Sequence, residues 1–259
     1  MDPATLIGIA VAMGAILLTM ILEGSSPMAI ILIPPLVLVF GGTFGAAIGG
    51  ISMNDVKKIG GWFKLALMPP ALPSVSERIQ TLVTLAERAR KEGLLALEAE
   101  VKNIDDPFLK RGLQMGIDGT DPEELRTVLE GEISAKKGED KVAVKFFNAM
   151  GGYAPTVGII GTIVGLINVL ENLSNPESLG PLIAGAFVAT LWGVLTANFF
   201  WLPMGAKISR ISELQAAQME LLVEGITEIQ AGTSPRAVRQ KLTALVPPSE
   251  VKEAASVPR

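Results

Sequence analysis

The stretch YAPTVGIIGTIVGLINVL, residues Tyr153–Leu170, decides the fold of this chain. It contains no acidic, basic or histidine residue, and a helix needs roughly 20 mainly apolar residues to cross a hydrocarbon layer about 30 Å thick. The stretch therefore predicts the core of a membrane-spanning helix. It also holds one proline, three glycines and two threonines, so this helix carries hydroxyl groups and an interrupted backbone ladder but nothing that titrates.

Four stretches of the chain are long and apolar enough to be such spans. None of them contains Asp, Glu, Lys, Arg or His, and they are Ala4–Leu22, Met28–Ile51, Phe146–Leu170 and Leu179–Met204. Short segments join the first span to the second and the third to the fourth, so each pair is predicted to form an antiparallel hairpin. The whole chain is 49% hydrophobic with a mean hydropathy of +0.45, which is typical of a membrane protein.

The basic residues predict the orientation of the spans. All 22 Lys and Arg lie in residues 57–145 and 207–259, outside the spans and the short connections. Because basic residues near span ends stay in the cytoplasm, we expect both termini and the large loop to be cytoplasmic. The first span has no basic residue before it and is predicted to be retained rather than cleaved.

The fold class that follows is an all-α polytopic membrane protein with four transmembrane helices and a cytoplasmic helical domain between spans two and three. The predicted domains are transmembrane helices 1–2 in residues 1–51, the cytoplasmic helical domain in 52–145, transmembrane helices 3–4 in 146–206, cytoplasmic C-terminal helices in 207–246 and a disordered tail in 247–259. Helix starts are predicted at Ser74, Asp106-Pro107, Asp121-Pro122 and Ser234-Pro235. The helix that begins after Asp121 is expected to continue into span three.

Composition removes most enzyme classes. The chain has no Cys and no His, so thiol nucleophiles, thiolate metal sites and the commonest general base are absent. Ser134 and Lys137 match a Ser-x-x-Lys pattern, but they stand in a charged stretch without the accompanying Lys-Thr-Gly element. A net charge of −4 does not favour nucleic acid as a partner.

Small residues recur at helical spacing in two spans. Gly41, Gly45 and Gly49 form one series, and Gly161 and Gly165 form another. This spacing lets helix backbones approach closely in lipid. It fits packing within the chain or an interface between subunits, and the residues alone leave both interpretations open.

Polar residues in spans three and four are candidates for an ion path. Pro155, Gly158 and Thr162 share one helix stripe in span three, and span four offers Thr190, Asn198 and Pro203. The alternative is that each threonine bonds its own i−4 carbonyl and that each proline only bends its helix. Since an ion path through hydrocarbon normally needs an ionisable group, and the spans contain none, the carboxylate would have to come from a partner chain.

Several motifs resemble the MotA/PomA family, the A subunit of the bacterial flagellar stator. They are the opening hairpin, RARKEGLLALE (Arg88–Glu98), DPFLKRGL, YAPTVGIIGTIVGL, ATLWGVLTANFFWLP and a Gly-Thr-Ser-Pro-Arg segment. The resemblance covers nearly the whole chain. It implies a homopentamer in the bacterial cytoplasmic (inner) membrane, surrounding the single spans of two peptidoglycan-anchored B subunits.

The resemblance also implies how such a complex works. The B subunit supplies the aspartate that carries the ion, and the A ring turns and pushes on the rotor switch protein FliG. No resident cofactor is implied, because Na⁺ or H⁺ is the transported cargo. Seven residues match functional positions of the family: the coupling prolines Pro155 and Pro203, the ion-pathway threonines Thr162 and Thr190, and the charged rotor contacts Arg88, Arg90 and Glu98. Sodium-type relatives carry a threonine where this chain has Thr162, so sodium is favoured over the proton.

Three alternatives remain from the sequence. An ExbB/TolQ-like energiser of an outer-membrane system resembles a three-span design and is less compatible with four spans. A channel that conducts alone would be expected to carry an intramembrane charge or broken repeated helices. A structural scaffold would leave the threonine and proline stripe as packing, and Arg88, Arg90 and Glu98 as a solvated helix face.

Overall fold

A computed structural model describes residues 3–247, and every regular element among them is helical, as the sequence predicts. The helices are α1 (Pro3–Leu22), α2 (Ile33–Gly49), α3 (Met53–Val56), α4 (Ile59–Leu67), α5 (Val75–Glu92), α6 (Glu98–Val101), α7 (Pro107–Ile117), α8 (Pro122–Glu171), α9 (Pro176–Thr196), α10 (Leu202–Gln230) and α11 (Pro235–Ala244). Apart from Pro247, the tail predicted to be disordered (247–259) lies outside the described residues. Two compact units are formed, one by residues 3–70 with 140–211 and one by residues 71–139 with 212–247.

Among residues 3–247, three helical segments are long and apolar enough to cross a membrane: Pro3–Leu22, Pro122–Glu171 and Pro176–Gln230. The second predicted span, Met28–Ile51, is not the single continuous helix that the sequence predicts. Its residues form a 3₁₀ turn at Pro27–Ile30 and then the 17-residue apolar helix α2. The reason is the Pro34-Pro35 pair, because a proline fits the first turn of a helix but cannot continue a preceding one.

The long helix α8 confirms that one helix continues from the charged loop into span three. It begins where Asp121 Oδ1 accepts the backbone N–H of Glu123 at 3.0 Å, and it runs for 50 residues through Pro155. Helix α9 begins at Pro176, five residues after the end of α8. Aromatic residues that include Trp62, Phe146 and Trp201 belong to one buried core cluster of this first unit.

The seam between α8 and α9 is made of small residues in direct backbone contact. A Cβ on Gly193 would lie 2.6 Å from the carbonyl oxygen of Ala154 and 3.0 Å from Gly158 Cα. Further along, a Cβ on Gly161 would lie 2.6 Å from the Cβ of Ala189, and a Cβ on Gly165 would lie 2.9 Å from the Cα of Ala186. Intrachain packing therefore accounts for the Gly161 and Gly165 series.

The other glycine series behaves differently. Apart from the backbone of the same helical turns, no atom of the part of the chain that the structure describes lies within 4 Å of the position that a Cβ on Gly41, Gly45 or Gly49 would take. Packing within the chain therefore does not account for this series.

The second unit has its own apolar core, in which α5, α7, α8, α10 and α11 bury leucine, isoleucine and valine side chains. Its helix starts are those predicted: Ser74 and Glu77 form a reciprocal capping box on α5, Asp106 caps α7 and Ser234 caps α11. Local cap chemistry thus sets the beginning of each of these helices.

One ion pair in this unit makes its stability depend on pH. Burial raises the pKa of the Glu228 carboxyl, but hydrogen bonds from Lys241 and Thr233 outweigh burial and hold that pKa below its usual value. The carboxylate side chain is 10% exposed and that of Lys241 54% exposed. Since the folded-state pKa is lowered, the stabilisation is present above about pH 4.5 and is lost as the pH falls through the folded-state pKa.

We expect Lys241→Met to lower the free energy of unfolding of this unit at pH 7 by about 1 kcal/mol, a value discounted because Lys241 is half exposed. The loss of stability between pH 7 and pH 4 should also become smaller, because the hydrogen bond from Lys241 is the main cause of the lowered pKa of Glu228. Thermal unfolding of the purified protein at pH 7 and pH 4 measures both effects. Arg236→Met, an exposed change on the same helix, is the control. Equal unfolding temperatures for the two variants at pH 7 would contradict the expectation.

Candidate functional site

The two predicted ion-pathway threonines lie opposite each other across the α8–α9 seam. The Oγ1 atoms of Thr162 and Thr190 are within hydrogen-bonding distance of each other. Thr162 Oγ1 also lies 3.2 Å from the carbonyl oxygen of Gly158 and 3.0 Å from that of Ala186. Thr190 Oγ1 lies 3.4 Å from the same Gly158 carbonyl. Four oxygen atoms from two helices therefore converge at one point, which we call the oxygen cluster.

The oxygen cluster goes beyond the back-bonding alternative. Thr162 does reach its own i−4 carbonyl, that of Gly158, but it also reaches the i−4 carbonyl of Thr190, which is that of Ala186. The two hydroxyls carry only two hydrogens for several acceptor lone pairs. Oxygen lone pairs therefore remain available, and neutral oxygens of this kind can replace the water around a hard cation.

Charge is what the oxygen cluster lacks. Its four oxygens come from the stretches Phe146–Leu170 and Leu179–Met204, which contain no Asp, Glu, Lys, Arg or His. The cluster can therefore contribute neutral oxygen to an ion but cannot balance its charge.

The oxygen cluster is open on one side. Both threonines are only half-buried. Of the residues three or four positions from them, those that do not pack in the α8–α9 seam are apolar and exposed. These residues are Ile159 and Leu166 on α8, and Phe187 and Val194 on α9. The cluster thus interrupts an apolar surface that no other part of the described chain covers.

The two predicted coupling prolines are linked by packing. Pro155 has no N–H for the carbonyl of Gly151, one turn before it, and Leu202 packs directly on Gly151, where a Cβ would lie 2.5 Å from Leu202 Cδ2. Pro203 follows Leu202 at the beginning of α10. The segments around the two prolines are therefore in contact.

The backbone before Pro203 is also unusual. Residues Ala197–Trp201 form a π-helical turn, in which the N–H of Leu202 donates to the carbonyl of Ala197. The turn falls where Pro203 has no N–H to donate to the helical ladder, and π-helical turns recur at functional sites. The backbone beside the predicted coupling proline Pro203 is therefore a widened turn, and the helical path continues through it.

The three predicted rotor contacts belong to the second unit and are not equivalent. Arg88 forms ion pairs with Glu92, at 3.4 Å, and with Glu100. Arg90 and Glu98 are exposed and take part in no ion pair of the described residues. Gly93, at φ 85°, ends α5 between them, in a conformation that favours glycine. Arg88 thus stabilises this surface, while Arg90 and Glu98 present free charges on it.

Sequence reasoning missed the residues that build the seam. Gly193 and Ala186 allow the close approach of α8 and α9 at the oxygen cluster. Asn148 packs on Gly205. The signal was present, because Ala186, Ala189 and Gly193 repeat at spacings of three and four residues in span four. Small residues at this spacing predict a close helix contact, but not which helix is the partner.

Comparisons with known proteins show which family this chain resembles. The sequence profile of the MotA/TolQ/ExbB proton channel family matches residues 100–221. Motility protein A of Bacillus subtilis (strain 168) is 34% identical over 247 residues, which make up 95% of this chain and 92% of that protein. Motility protein A of Borreliella burgdorferi is 34% identical over 250 residues, 96% of each chain.

Two solved structures are similar along almost the whole chain. The structure of C. jejuni MotAB matches with a TM-score of 0.91 and 29% identity, covering 96% of this chain and 97% of that one. The flagellar MotAB stator complex from Bacillus subtilis matches with a TM-score of 0.89 and 33% identity, covering 96% and 98%.

Proposed function

This chain belongs to the motility protein A family, and we propose from that premise that it is the A subunit of a flagellar stator, which converts a transmembrane ion gradient into torque on the rotor. The observation that carries the proposal is the oxygen cluster at Thr162 and Thr190, which offers neutral oxygen but no charge beside an uncovered apolar surface. An A subunit needs such a half-site. The full-length similarity to motility proteins favours this function over an ExbB/TolQ-like energiser.

The missing half of the site would come from a B subunit. A single apolar helix carrying one carboxylate would cover Ile159, Leu166, Phe187 and Val194 and bring its charge to the oxygen cluster. A lone carboxylate in hydrocarbon is costly unless it is paired or solvated. The bound ion would pair with the carboxylate, and the oxygen cluster would replace part of the water around the ion. Five copies of this chain around two such helices would present the site repeatedly during rotation.

Sodium is the favoured ion. Thr162, Thr190 and the two carbonyls supply four oxygens, and a partner carboxylate would complete a coordination shell of the type that hard cations prefer. A proton needs only the carboxylate. The coordination chemistry therefore supports a sodium-driven complex, with the proton as the alternative.

The topology proposed is four spans in the inner membrane, with both termini and the large loop in the cytoplasm. The three long apolar segments and the shorter α2 supply the spans. The absence of Lys and Arg from both short connections supports the orientation. The second unit, which carries Arg90 and Glu98, would then meet FliG in the cytoplasm.

Coupling would pass through the two prolines. One charge moving through about 100 mV supplies about 2.3 kcal/mol, which shifts a two-state equilibrium less than about a hundredfold. The step must therefore act on an element with two nearly equal arrangements. The contact between Gly151 and Leu202, which lie beside Pro155 and Pro203, is a suitable element, because both backbone ladders are already interrupted there.

A complementation assay tests the proposed function. The chain is co-expressed with a B subunit of a motility protein A relative in cells that lack stators, and swimming speed is recorded in sodium-free and sodium-rich media. We expect motility to be restored and the speed to rise with sodium. Speed that ignores sodium would identify the proton as the ion, and a normally inserted but immobile complex would refute the stator function.

The same assay tests the rotor surface. We expect Arg90→Glu or Glu98→Lys to remove most of the swimming speed without reducing the amount of protein in the membrane, because like charges brought together cost several kcal/mol. Arg88→Glu should instead lower the amount of protein, since it breaks two ion pairs. Lys91→Glu, a reversal at a neighbouring exposed residue, is the control. If Arg90→Glu and Lys91→Glu swim alike, the charges do not contact the rotor.

A further inference from the structure

One tryptophan holds the broken start of span two against span four. Trp192 Nε1 donates a hydrogen bond to the backbone carbonyl of Ile30 at 2.6 Å, across 162 positions of sequence. In a continuous helix that carbonyl would accept from the N–H four residues later, but Pro34 stands there and has no N–H. Ile30 is only 7% exposed, and a buried carbonyl without a donor is costly. The indole therefore supplies the donor that Pro34 lacks.

Span two also packs on both helices that form the oxygen cluster. Leu38 Cδ2 lies 2.9 Å from the position that a Cβ on Gly161 would take, and Gly161 immediately precedes the threonine of α8. Leu32 Cδ1 lies 3.8 Å from the corresponding position of Gly185 in α9. Span two thus contacts α8 and α9 close to the place where their oxygens meet.

On α9, these contacts lie on the side that points away from the exposed apolar surface beside the oxygen cluster. Trp192 and Gly185 are seven residues apart and share one face of the helix. The exposed residues Phe187 and Val194, also seven apart, share another. At 3.6 residues per turn, the side chains of Trp192 and Val194 point about 200° apart. A partner helix on the exposed surface would therefore press α9 against span two.

We propose that Trp192 is a positioning residue of the ion site. By holding Ile30 it keeps span two behind α9, and span two resists displacement of the turn that carries Thr190, two residues before Trp192. The contact between Thr190 and Thr162 joins two helices, so it persists only while that turn stays in place. The inference rests on the proposed function, and it adds a residue whose side chain offers the ion no oxygen.

The complementation assay separates positioning from stability when swimming speed is measured over a range of concentrations of the driving ion. Trp192→Phe keeps an aromatic ring beside Phe40 and removes the N–H. We expect the ion concentration at half-maximal speed to rise about 5- to 10-fold, the effect of one unsatisfied acceptor, with the maximal speed nearly unchanged. A loss of stability alone would lower the number of inserted complexes and the maximal speed, and would leave the half-maximal concentration where it was.

Two further variants identify the N–H as the cause. Trp62→Phe changes a buried indole of the same unit that contacts Phe146 through its ring and makes no hydrogen bond with the described residues, so the half-maximal concentration should not move. Trp192→His restores an N–H donor on a five-membered ring and should recover most of the shift. No shift in Trp192→Phe, an equal shift in Trp62→Phe, or no recovery in Trp192→His would each overturn the proposal.

A disulfide tests the contact without motility. The chain has no Cys, so Leu32→Cys with Gly185→Cys creates a single pair where span two meets α9. In the purified complex of this chain with its B subunit, mass spectrometry after oxidation should detect the disulfide, and Trp192→Phe should lower its yield whereas Trp62→Phe should not. Equal yields, or no disulfide in the parent pair, would overturn this proposal alone. Immobile cells with a normal disulfide pattern would instead refute the stator function.

Discussion

Replacing Gly193 by valine is expected to abolish swimming in the complementation assay while the chain still inserts into the membrane. A Cβ at this position would lie 2.6 Å from the carbonyl oxygen of Ala154 and 3.0 Å from Gly158 Cα. Both obstacles are backbone atoms, so no side chain can rotate away and α8 and α9 must separate. Overpacking of this kind costs about 1–3 kcal/mol, which the first unit is expected to survive, but the oxygen cluster depends on the spacing of these two helices.

The expected result is graded and has a matched control. Gly193→Ala should reduce the speed in part, because it adds the Cβ alone. Gly152→Val places the same bulky side chain in α8 at an exposed position where no atom lies within 4 Å, and it should swim normally. Immunoblots of membrane fractions check that all three proteins are present in equal amounts. Normal speed for Gly193→Val would mean that the close approach of the helices is not needed for function.

Replacing Thr190 or Thr162 by valine should slow the ion-driven step by about 10- to 100-fold. Valine keeps the shape of threonine and removes the hydroxyl, so the packing of the α8–α9 seam is retained while the oxygen cluster loses one of its four oxygens. A hydrogen bond or ligand contact to a charged group is worth about 1.5–3 kcal/mol, and each 1.36 kcal/mol of barrier is about tenfold in rate. Swimming speed at low sodium measures the effect.

The controls separate the lost oxygen from other effects of the substitution. Thr190→Ser keeps the hydroxyl and should retain most of the speed. Thr156→Val removes a hydroxyl from the same helix α8, but that hydroxyl is exposed and bonds the carbonyl of Tyr153 at 2.7 Å, so no loss is expected. The double variant Thr162→Val with Thr190→Val should lose less than the sum of the two single effects, because the two hydroxyls contact each other. Full additivity would indicate that they act at separate places.

Local signals in the sequence predicted most of the fold. Apolar length predicted the long apolar helices, and cap residues such as Ser74, Asp106 and Ser234 predicted where other helices begin, because these signals are local. Span two was the exception, and there too the cause is local. Pro34 and Pro35 fit the first turn of a helix and exclude a continuous one from Met28.

The candidate site was predictable in its members but not in its geometry. The sequence pointed to Thr162 and Thr190, yet the contact of each hydroxyl with the other helix follows from the register of α8 on α9, which Gly158 and Gly193 set by touching backbone to backbone. In the same way, the family pattern grouped Arg88 with Arg90 and Glu98. Only the fold pairs Arg88 with Glu100, twelve residues away.

The sequence by itself determined that this is an all-helical membrane chain whose spans carry hydroxyls and prolines but no charge, because hydrophobicity, capping and the absence of titrating groups are properties of the residues and their near neighbours. The tertiary structure decided which oxygens meet, that the turns next to Pro155 and Pro203 are in contact through Gly151 and Leu202, and that Lys207 donates to Thr5 on α1. These features join residues that are 28 to 202 positions apart. Their distances depend on how the helices pack, and no local pattern encodes that packing.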